Sequence, residues 1–244
     1  GYKLVKGWGP ERHVYFTAVF SKPFRDFGIM QDTIPVKYNT NRFRSSLEAW
    51  GKDLRFWMRF PTRQGEVVTV KTAVSAVSSD GAKLNMQELE GKTFASLKAE
   101  GEKLWEGQLS KFKIEATPEQ RETFYTSVYH AFLHPFIFQD ADGKFRELDK
   151  NIGQAEGFTN YTVFSLWDTY RAAHPLRTII EPEKESHMVN SYIRMSEQME
   201  DYWMPTFPEV VGDVRGMNSN HGVAVVADCY AKGVRGFDLE KAYR

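Results

Sequence analysis

Three side chains in one short segment are of the types that bind a sugar: Trp167, Asp168 and Arg171. They belong to the run Tyr161-Thr-Val-Phe-Ser-Leu-Trp-Asp-Thr-Tyr-Arg-Ala-Ala-His-Pro-Leu176 and lie where a helix is predicted to begin. An indole packs on the C–H face of a sugar ring. A carboxylate accepts hydrogen bonds from neighbouring hydroxyl groups, and a guanidinium donates them. Together these residue types indicate a saccharide pocket.

The same residues also have simpler interpretations. Asp168 could cap the helix or pair with Arg171, three residues further on, and the residue types alone favour this interpretation. His221 stands at the predicted start of another helix, where it could bond a sugar, cap the helix or lie in the core. Asn218 and Asn220 flank it and are weaker candidates for the same site.

The first half of the chain is predicted to form strands. Apolar and polar residues alternate with period 2, which is typical of strands with one face in a core. The predicted strands are Arg12–Phe20, Leu54–Phe60, Glu66–Ala76 and Ser110–Glu115, with turns at Arg63–Gly65 and Ser79–Gly81. One helix is predicted between them, from about Thr93 to Leu109.

The second half has the 3.6-residue period of helices. Thr117-Pro-Glu-Gln120 forms a capping-box pattern with Pro at the first helical position. Further helices are predicted from about Pro182 and over His221–Lys232. The stripe Met188, Tyr192, Met195, Met199 is interpreted as core. The order of elements predicts an α+β fold, with an antiparallel β-sandwich portion over residues 1–116 and helices over 117–244.

Composition excludes several classes of protein. The chain has 244 residues and formal net charge zero, which argues against a nucleic-acid partner. No apolar stretch approaches the ~20 residues of a transmembrane segment. The first residues, Gly1–Trp8, are not a signal peptide. Cys229 excludes an internal disulfide and is interpreted as a small buried residue. The sequence starts without an initiator Met, and the predicted helix after Asp238 stops after about two turns, which indicates a cut end or a natural, frayed C-terminal helix.

The remaining polar clusters give no second candidate site. Asp140-Ala-Asp-Gly143 is interpreted as a turn, because its run of oxygen ligands is too short for an EF-hand. Glu181-Pro-Glu-Lys-Glu185 is interpreted as a solvated helix start. Asp228 could be a buried partner or a surface charge. The histidines show no spacing typical of zinc ligands.

Several segments in order and spacing resemble glycoside hydrolase family 92, the calcium-dependent exo-acting α-mannosidases. The most specific is Phe158-Thr-Asn-Tyr-Thr-Val-Phe-Ser-Leu-Trp-Asp-Thr-Tyr-Arg171, and the others are Val14–Phe24, Phe124–His130 and Val226–Gly233. The resemblance covers essentially the whole chain. Two segments depart from the family pattern, Met204-Pro-Thr-Phe207 and Met217-Asn-Ser-Asn-His-Gly222, although His221 fits it.

The resemblance implies an N-terminal β-sandwich joined by a helical linker to an (α/α)6 barrel, of which residues 117–244 would form the linker and first helices. It implies an inverting enzyme, an exported, periplasmic or cell-surface location, and mannose-containing glycans as substrate. It also favours a sugar-binding role for Asp168, together with its neighbours Trp167 and Arg171. For His221 the sugar-binding and structural interpretations both stay open, and Asn218 and Asn220 are weaker candidates for the same site. The catalytic acid and base, and most ligands of the calcium ion, are expected beyond Arg244. No catalytic residue is therefore assigned here, and residues 1–244 are expected to be inactive alone.

Two other functions remain open. The chain could be a non-catalytic carbohydrate-binding sandwich with a helical appendage, in which Trp57 and Trp105 form the sugar platform. It could also be a purely structural piece of a larger protein. Further helices carrying Glu and Asp pairs after Arg244 would favour the enzyme.

Overall fold

The computed structural model describes residues 1–6, 11–35, 49, 51–199, 202–210, 212–217 and 220–244. Their strands are β1 (Tyr2–Val5), β2 (Arg12–Phe20), β3 (Asp26–Gln31), β4 (Ile34–Pro35), β5 (Leu54–Arg59), β6 (Val70–Ser75), β7 (Phe136–Ile137), β8 (Lys144–Arg146), β9 (Ile152–Gln154), β10 (Tyr161–Thr162), β11 (Pro208–Glu209) and β12 (Gly212–Asp213). Their α-helices are α1 (Ser79–Met86), α2 (Phe94–Leu109), α3 (Pro118–Ala131), α4 (Leu166–Thr169), α5 (Ala173–Ile180), α6 (Pro182–Glu197), α7 (His221–Ala231) and α8 (Leu239–Tyr243). The fold mixes α and β structure, and its sheets are antiparallel.

The chain forms two compact units, one of Gly1–Thr17 with Ala73–Arg244 and one of Ala18–Thr72. The smaller unit contains the sheet β4-β3-β5, in which Asp26 pairs with Arg59 and Gln31 with Leu54. Aromatic rings pack beside this sheet, with Phe20 and Phe60 centroids 5.4 Å apart. The predicted strand at Leu54–Phe60 is confirmed, because alternating apolar residues suit a strand with one packed face.

The larger unit begins with β1, which pairs with β2 from Tyr2 opposite Tyr15 to Val5 opposite Arg12. The predicted strand Arg12–Phe20 has the bounds of β2. The strand predicted over Glu66–Ala76 is shorter than expected and starts at Val70.

Helical structure begins earlier than the sequence predicts. The turn predicted at Ser79–Gly81 is wrong, because these residues form the first turn of α1, capped by the Ser78 hydroxyl, which accepts from the Gly81 N–H at 2.9 Å. Glycine is unfavourable inside a helix. Here it permits a close approach, since a Cβ at Gly81 would lie 2.1 Å from Oδ2 of Asp140. That carboxylate is held by Ser75 and Asn85.

The strand predicted at Ser110–Glu115 is also wrong. This segment follows α2 and has no regular secondary structure. Side chains of α3 donate hydrogen bonds to two of its carbonyl groups. Tyr125 donates its hydroxyl to the Phe112 carbonyl at 2.8 Å, and Arg121 donates to the Ile114 carbonyl at 2.9 Å. The Phe112 ring packs on Phe124. The alternation of apolar and polar residues predicted a strand. In the structure, the carbonyl groups of this segment accept hydrogen bonds from side chains of α3 and not from a second strand.

The long helices follow the predicted starts. α3 has the full capping box, in which the side chains of Thr117 and Gln120 each accept from the other residue's backbone N–H. α6 begins at Pro182 and α7 at His221. The main core lies where α6 and α7 meet, and Met188, Tyr192 and Cys229 are all buried in it. The core interpretation of the methionine stripe and of Cys229 is therefore confirmed for these positions.

The domain division at Ala116 stays a prediction about the whole protein. Within the described residues, the strand-rich part ends at Ser75 and the first helix starts at Ser79. In the same residues, no helix combines the length and the apolar character needed to span a bilayer.

Candidate functional site

The segment that carries Trp167, Asp168 and Arg171 forms one short helix and the turn behind it. α4 begins after Ser165, whose carbonyl accepts from the N–H groups of Asp168 and Thr169 at 3.1 and 3.0 Å. The Ser165 hydroxyl donates a hydrogen bond to the Asp168 carboxylate. Leu166 is fully buried, while Trp167 is 40 % exposed. Leu166 therefore anchors the helix, and the indole and the carboxylate face outwards.

The backbone just before α4 is strained. Val163 has φ +62°, in the left-handed region that a β-branched residue rarely adopts. Such a conformation costs on the order of 1–3 kcal/mol and persists only where its surroundings fix it. Here the Phe164 N–H donates to the Pro208 carbonyl at 3.1 Å, and the Thr162 hydroxyl donates to the Glu209 carbonyl at 3.1 Å. These bonds hold the strained backbone that leads into the helix.

The start of α7 meets α4. Gly222 is buried, and a Cβ at this position would lie 3.5 Å from Cδ1 of Leu166 and 3.4 Å from Cβ of Met204. Asn220, the residue before the helix, has φ +88°. His221 is half-buried at the first position of α7. Gly222 thus packs against Leu166 of α4, and this contact brings His221 to the segment of Trp167 and Asp168.

A tyrosine that the sequence analysis did not select links these groups. The Tyr170 and His221 rings lie 4.3 Å apart between centroids, and the Arg171 guanidinium carbon lies 4.9 Å from the centroid of the Tyr170 ring. Arg171 therefore stacks on Tyr170 and makes no ion pair with Asp168 in the described part of the chain. The sequence could have indicated Tyr170, because it lies between Asp168 and Arg171, which were both selected as sugar-binding candidates.

Other selected residues lie elsewhere. Asn218 is outside the described residues. Trp57 is 38 % exposed in the smaller unit, next to the Arg59 guanidinium. Trp105 packs on Tyr129 with centroids 4.4 Å apart, so this indole is committed to the contact between α2 and α3. The sugar-binding roles of the selected residues stay predictions.

A polar cluster lies buried behind the site and was missed. Glu185 was interpreted as part of a solvated helix start, but it is fully buried, and Glu181 is buried as well. Oε1 of Glu185 lies 2.7 Å from Nδ1 of His174, and Nε2 of His174 lies 3.2 Å from the Tyr192 hydroxyl. The Cys229 thiol donates to the same carboxylate oxygen at 3.7 Å. We call His174, Glu185, Tyr192 and Cys229 the buried carboxylate cluster.

The prediction that Glu181–Glu185 is a solvated helix start was wrong for Glu181 and Glu185. Acidic residues are common in the first turn of a helix, where they are usually exposed. Folding instead turns this end of α6 towards α5 and α7. Burial raises the pKa of the Tyr192 hydroxyl and that of the Cys229 thiol, and the neighbouring Glu185 carboxylate adds to both shifts. Both groups therefore stay neutral at physiological pH.

The other carboxylates that the sequence analysis selected have structural roles. Asp140–Gly143 is a turn, closed by the Gly143 N–H donating to the Asp140 carbonyl at 2.8 Å. Asp228 pairs with Lys232 at 2.7 Å, one turn along α7. Among the described residues, no group of three or more histidines, cysteines, aspartates or glutamates could hold a metal ion.

Comparison with known proteins identifies the family. Residues 81–244 match the glycosyl hydrolase family 92 catalytic domain, and residues 1–75 match the glycosyl hydrolase family 92 N-terminal domain. Curated protein sequences give no match.

Solved structures give close matches. The chain is 56 % identical to the family GH92 α-mannosidase BT3965 from Bacteroides thetaiotaomicron in complex with mannoimidazole, with a TM-score of 0.94 over 99 % of this chain and 32 % of that chain. It is 26 % identical to the family GH92 inverting mannosidase BT2199 from Bacteroides thetaiotaomicron VPI-5482, with a TM-score of 0.77 over 97 % of this chain and 32 % of that chain. The chain spans about a third of the length of these relatives and belongs to glycosyl hydrolase family 92.

Proposed function

We propose that the whole protein is an inverting exo-α-mannosidase that releases α-linked mannose from mannose-containing glycans. The observation that carries this proposal is the contact of α4 with the start of α7, which brings together one segment with an exposed indole and an exposed carboxylate and another with a histidine. The family supports the reaction class, and the solved relatives are named as mannosidases.

In this proposal the site binds the terminal mannose. The indole of Trp167 packs on the C–H face of the ring, and the Asp168 carboxylate accepts hydrogen bonds from neighbouring hydroxyl groups. Arg171, held on the Tyr170 ring, donates to the same sugar. His221 and Asn220 complete the site from the start of α7. Asn218 stays a predicted member of the site from the sequence alone.

The chemical step needs groups beyond this chain. Inversion uses a carboxylic acid that protonates the leaving oxygen and a carboxylate that activates water, roughly 6.5–9.5 Å apart. We infer that both, with most ligands of a calcium ion, belong to the remainder of the polypeptide. This remainder would complete an (α/α)6 barrel after the β-sandwich. By family resemblance, we propose that the protein is exported to the periplasm or the cell surface.

The stereochemistry of the product tests the function. The natural full-length protein is incubated with α-linked mannobioses, and the first product is followed by proton NMR. Inversion at an α-linkage yields β-mannose first, and mutarotation to the α-anomer follows. No mannose release from any linkage would refute the proposed activity, and α-mannose appearing first would refute inversion.

Residues 1–244 alone provide the matched control. They should give no turnover, because a missing general acid and a missing base each remove typically 10²–10⁴-fold in rate. Turnover by this piece, free of contaminating enzyme, would place the acid and base among its own carboxylates.

A further inference from the structure

The buried carboxylate cluster contacts each segment that carries the candidate site. His174 stands on α5, directly after the turn that contains Arg171. Tyr192 packs edge-on against Phe164 with centroids 4.6 Å apart, and Phe164 comes just before Ser165 and α4. Cys229 stands on α7, the helix that starts at His221. The Glu185 carboxylate on α6 thus bonds directly to His174 and Cys229, and through His174 it is linked to Tyr192.

Stability alone does not account for this cluster. A buried ionic group is often no more stabilising than a well-packed apolar residue of similar size, because desolvation offsets the attraction. The cluster is also imperfectly satisfied, since Oε2 of Glu185 is buried and has no hydrogen-bond partner among the described residues. An unpaired buried oxygen costs free energy. The directional bonds of such a network, however, fix one arrangement of the elements it joins.

We propose that Glu185 and His174 are positioning residues, which hold α4 and the start of α7 in the relative placement that the mannose site requires. The carboxylate fixes the ring of His174, that ring fixes the Tyr192 hydroxyl, and the Tyr192 ring supports Phe164 ahead of the strained approach to α4. The proposal rests on the proposed mannosidase function.

Positioning has a specific kinetic signature. A displacement of about 1 Å at a catalytic site can cost on the order of 100-fold in rate, even when the substituted residue is remote from the chemistry. The loss should fall mainly on kcat, because transition-state contacts need closer geometry than substrate binding. A role in stability alone would lower the melting temperature and leave kcat unchanged well below that temperature.

Glu185→Gln in the natural full-length protein tests the proposal, with Glu147→Gln as the matched control. Glu147 is also a buried glutamate. It is not a member of the buried carboxylate cluster, since its carboxylate accepts a hydrogen bond from Nε of Arg194 at 2.8 Å. Both variants are assayed on an α-linked mannobiose well below their melting temperatures. We expect kcat to fall at least tenfold for Glu185→Gln and less than twofold for Glu147→Gln.

A second variant covers the case in which Glu185→Gln does not fold. Tyr192→Phe keeps the ring against Phe164 and removes only the hydroxyl that bonds His174. We expect kcat to fall at least threefold. A kcat within twofold of wild type in the folded variant, or an equal loss in the Glu147→Gln control, would overturn the positioning role. Absence of turnover by the wild-type protein would overturn the mannosidase function, and the positioning role with it.

Discussion

Replacing Asp168 with alanine in the full-length protein separates its two interpretations. Asp168 is exposed, and its described side-chain partner is the Ser165 hydroxyl at the start of α4. If the carboxylate binds mannose, the substitution removes hydrogen bonds that matter only in the presence of substrate. If it serves the helix, the substitution removes a bond that matters only for folding.

The structure sets the size of each effect. An exposed hydrogen bond between Asp168 and Ser165 contributes no more than about 1 kcal/mol to the free energy of unfolding. Such a loss lowers the melting temperature of a domain of this size by roughly 2–4 °C. One charge-assisted bond to sugar contributes about 1.5–3 kcal/mol. Since each 1.36 kcal/mol is a factor of ten in rate, kcat/KM should fall roughly 10- to 150-fold.

The assay measures kcat/KM on a mannobiose together with the melting temperature of the same preparation. Asp228→Ala is the control, since this aspartate is paired with Lys232 on the surface of α7. It should leave kcat/KM within twofold of wild type. If Asp168→Ala keeps kcat/KM within threefold of wild type, or loses activity only in step with unfolding, the carboxylate serves the helix and the sugar-binding interpretation is wrong.

Two further predictions concern buried groups. Cys229 is fully buried, and burial raises its pKa, so iodoacetamide at about pH 8 should label it only after urea unfolds the protein; rapid labelling of the folded protein would contradict this. Burial opposes ionisation of Glu181, but hydrogen bonds from Lys184 and Lys111 outweigh it and hold the pKa below its ordinary value of 4.5. A lowered pKa in the folded state stabilises the protein above the unfolded-state pKa, and this stabilisation is lost as the pH falls through the folded-state value. Lys111→Met should therefore lower the free energy of unfolding by roughly 1 kcal/mol at pH 7, a difference that shrinks below about pH 4. Urea unfolding at both pH values measures it, and an equal loss for Lys113→Met would show that the ion pair is not the cause.

Local sequence signals predicted the elements whose structure is determined locally. The starts of α3 and α7 follow from Thr117 with its capping box and from the apolar period after His221. Two local signals failed because a distant segment decides the structure. Ser110–Glu115 alternates like a strand, but its Phe112 carbonyl bonds a tyrosine of α3. The turn predicted at Ser79–Gly81 was wrong because a glycine usually marks a turn. Here Gly81 instead leaves room for the Asp140 carboxylate, which is close in space although about sixty residues away in sequence.

The candidate site was partly predictable for the same reason. Trp167 and Asp168 are neighbours in sequence, so their residue types were informative without a fold. The contact of His221 with Tyr170 joins residues about fifty positions apart, and only the packing of the start of α7 against Leu166 shows it. Glu185 was misassigned because a glutamate near a helix start is usually solvated, and only the packing of α5 and α7 around it shows that it is buried.

In this fold the starts of α4 and α7 carry the candidate site, and the helix interiors form the core that positions them. The first N–H groups of a helix have no partner within the helix. The start of α7 packs against Leu166 at the start of α4, and the His221 ring lies on the Tyr170 ring that follows α4. Helix interiors supply the fixed distances between such starts, since their side chains interlock in the core. A polar cluster within that core constrains orientation as well as distance, because hydrogen bonds are directional and apolar contacts are not. A site built from two helix starts therefore depends on whatever fixes the angle between the helices, and Glu185 is the buried group that bonds to residues of both α5 and α7.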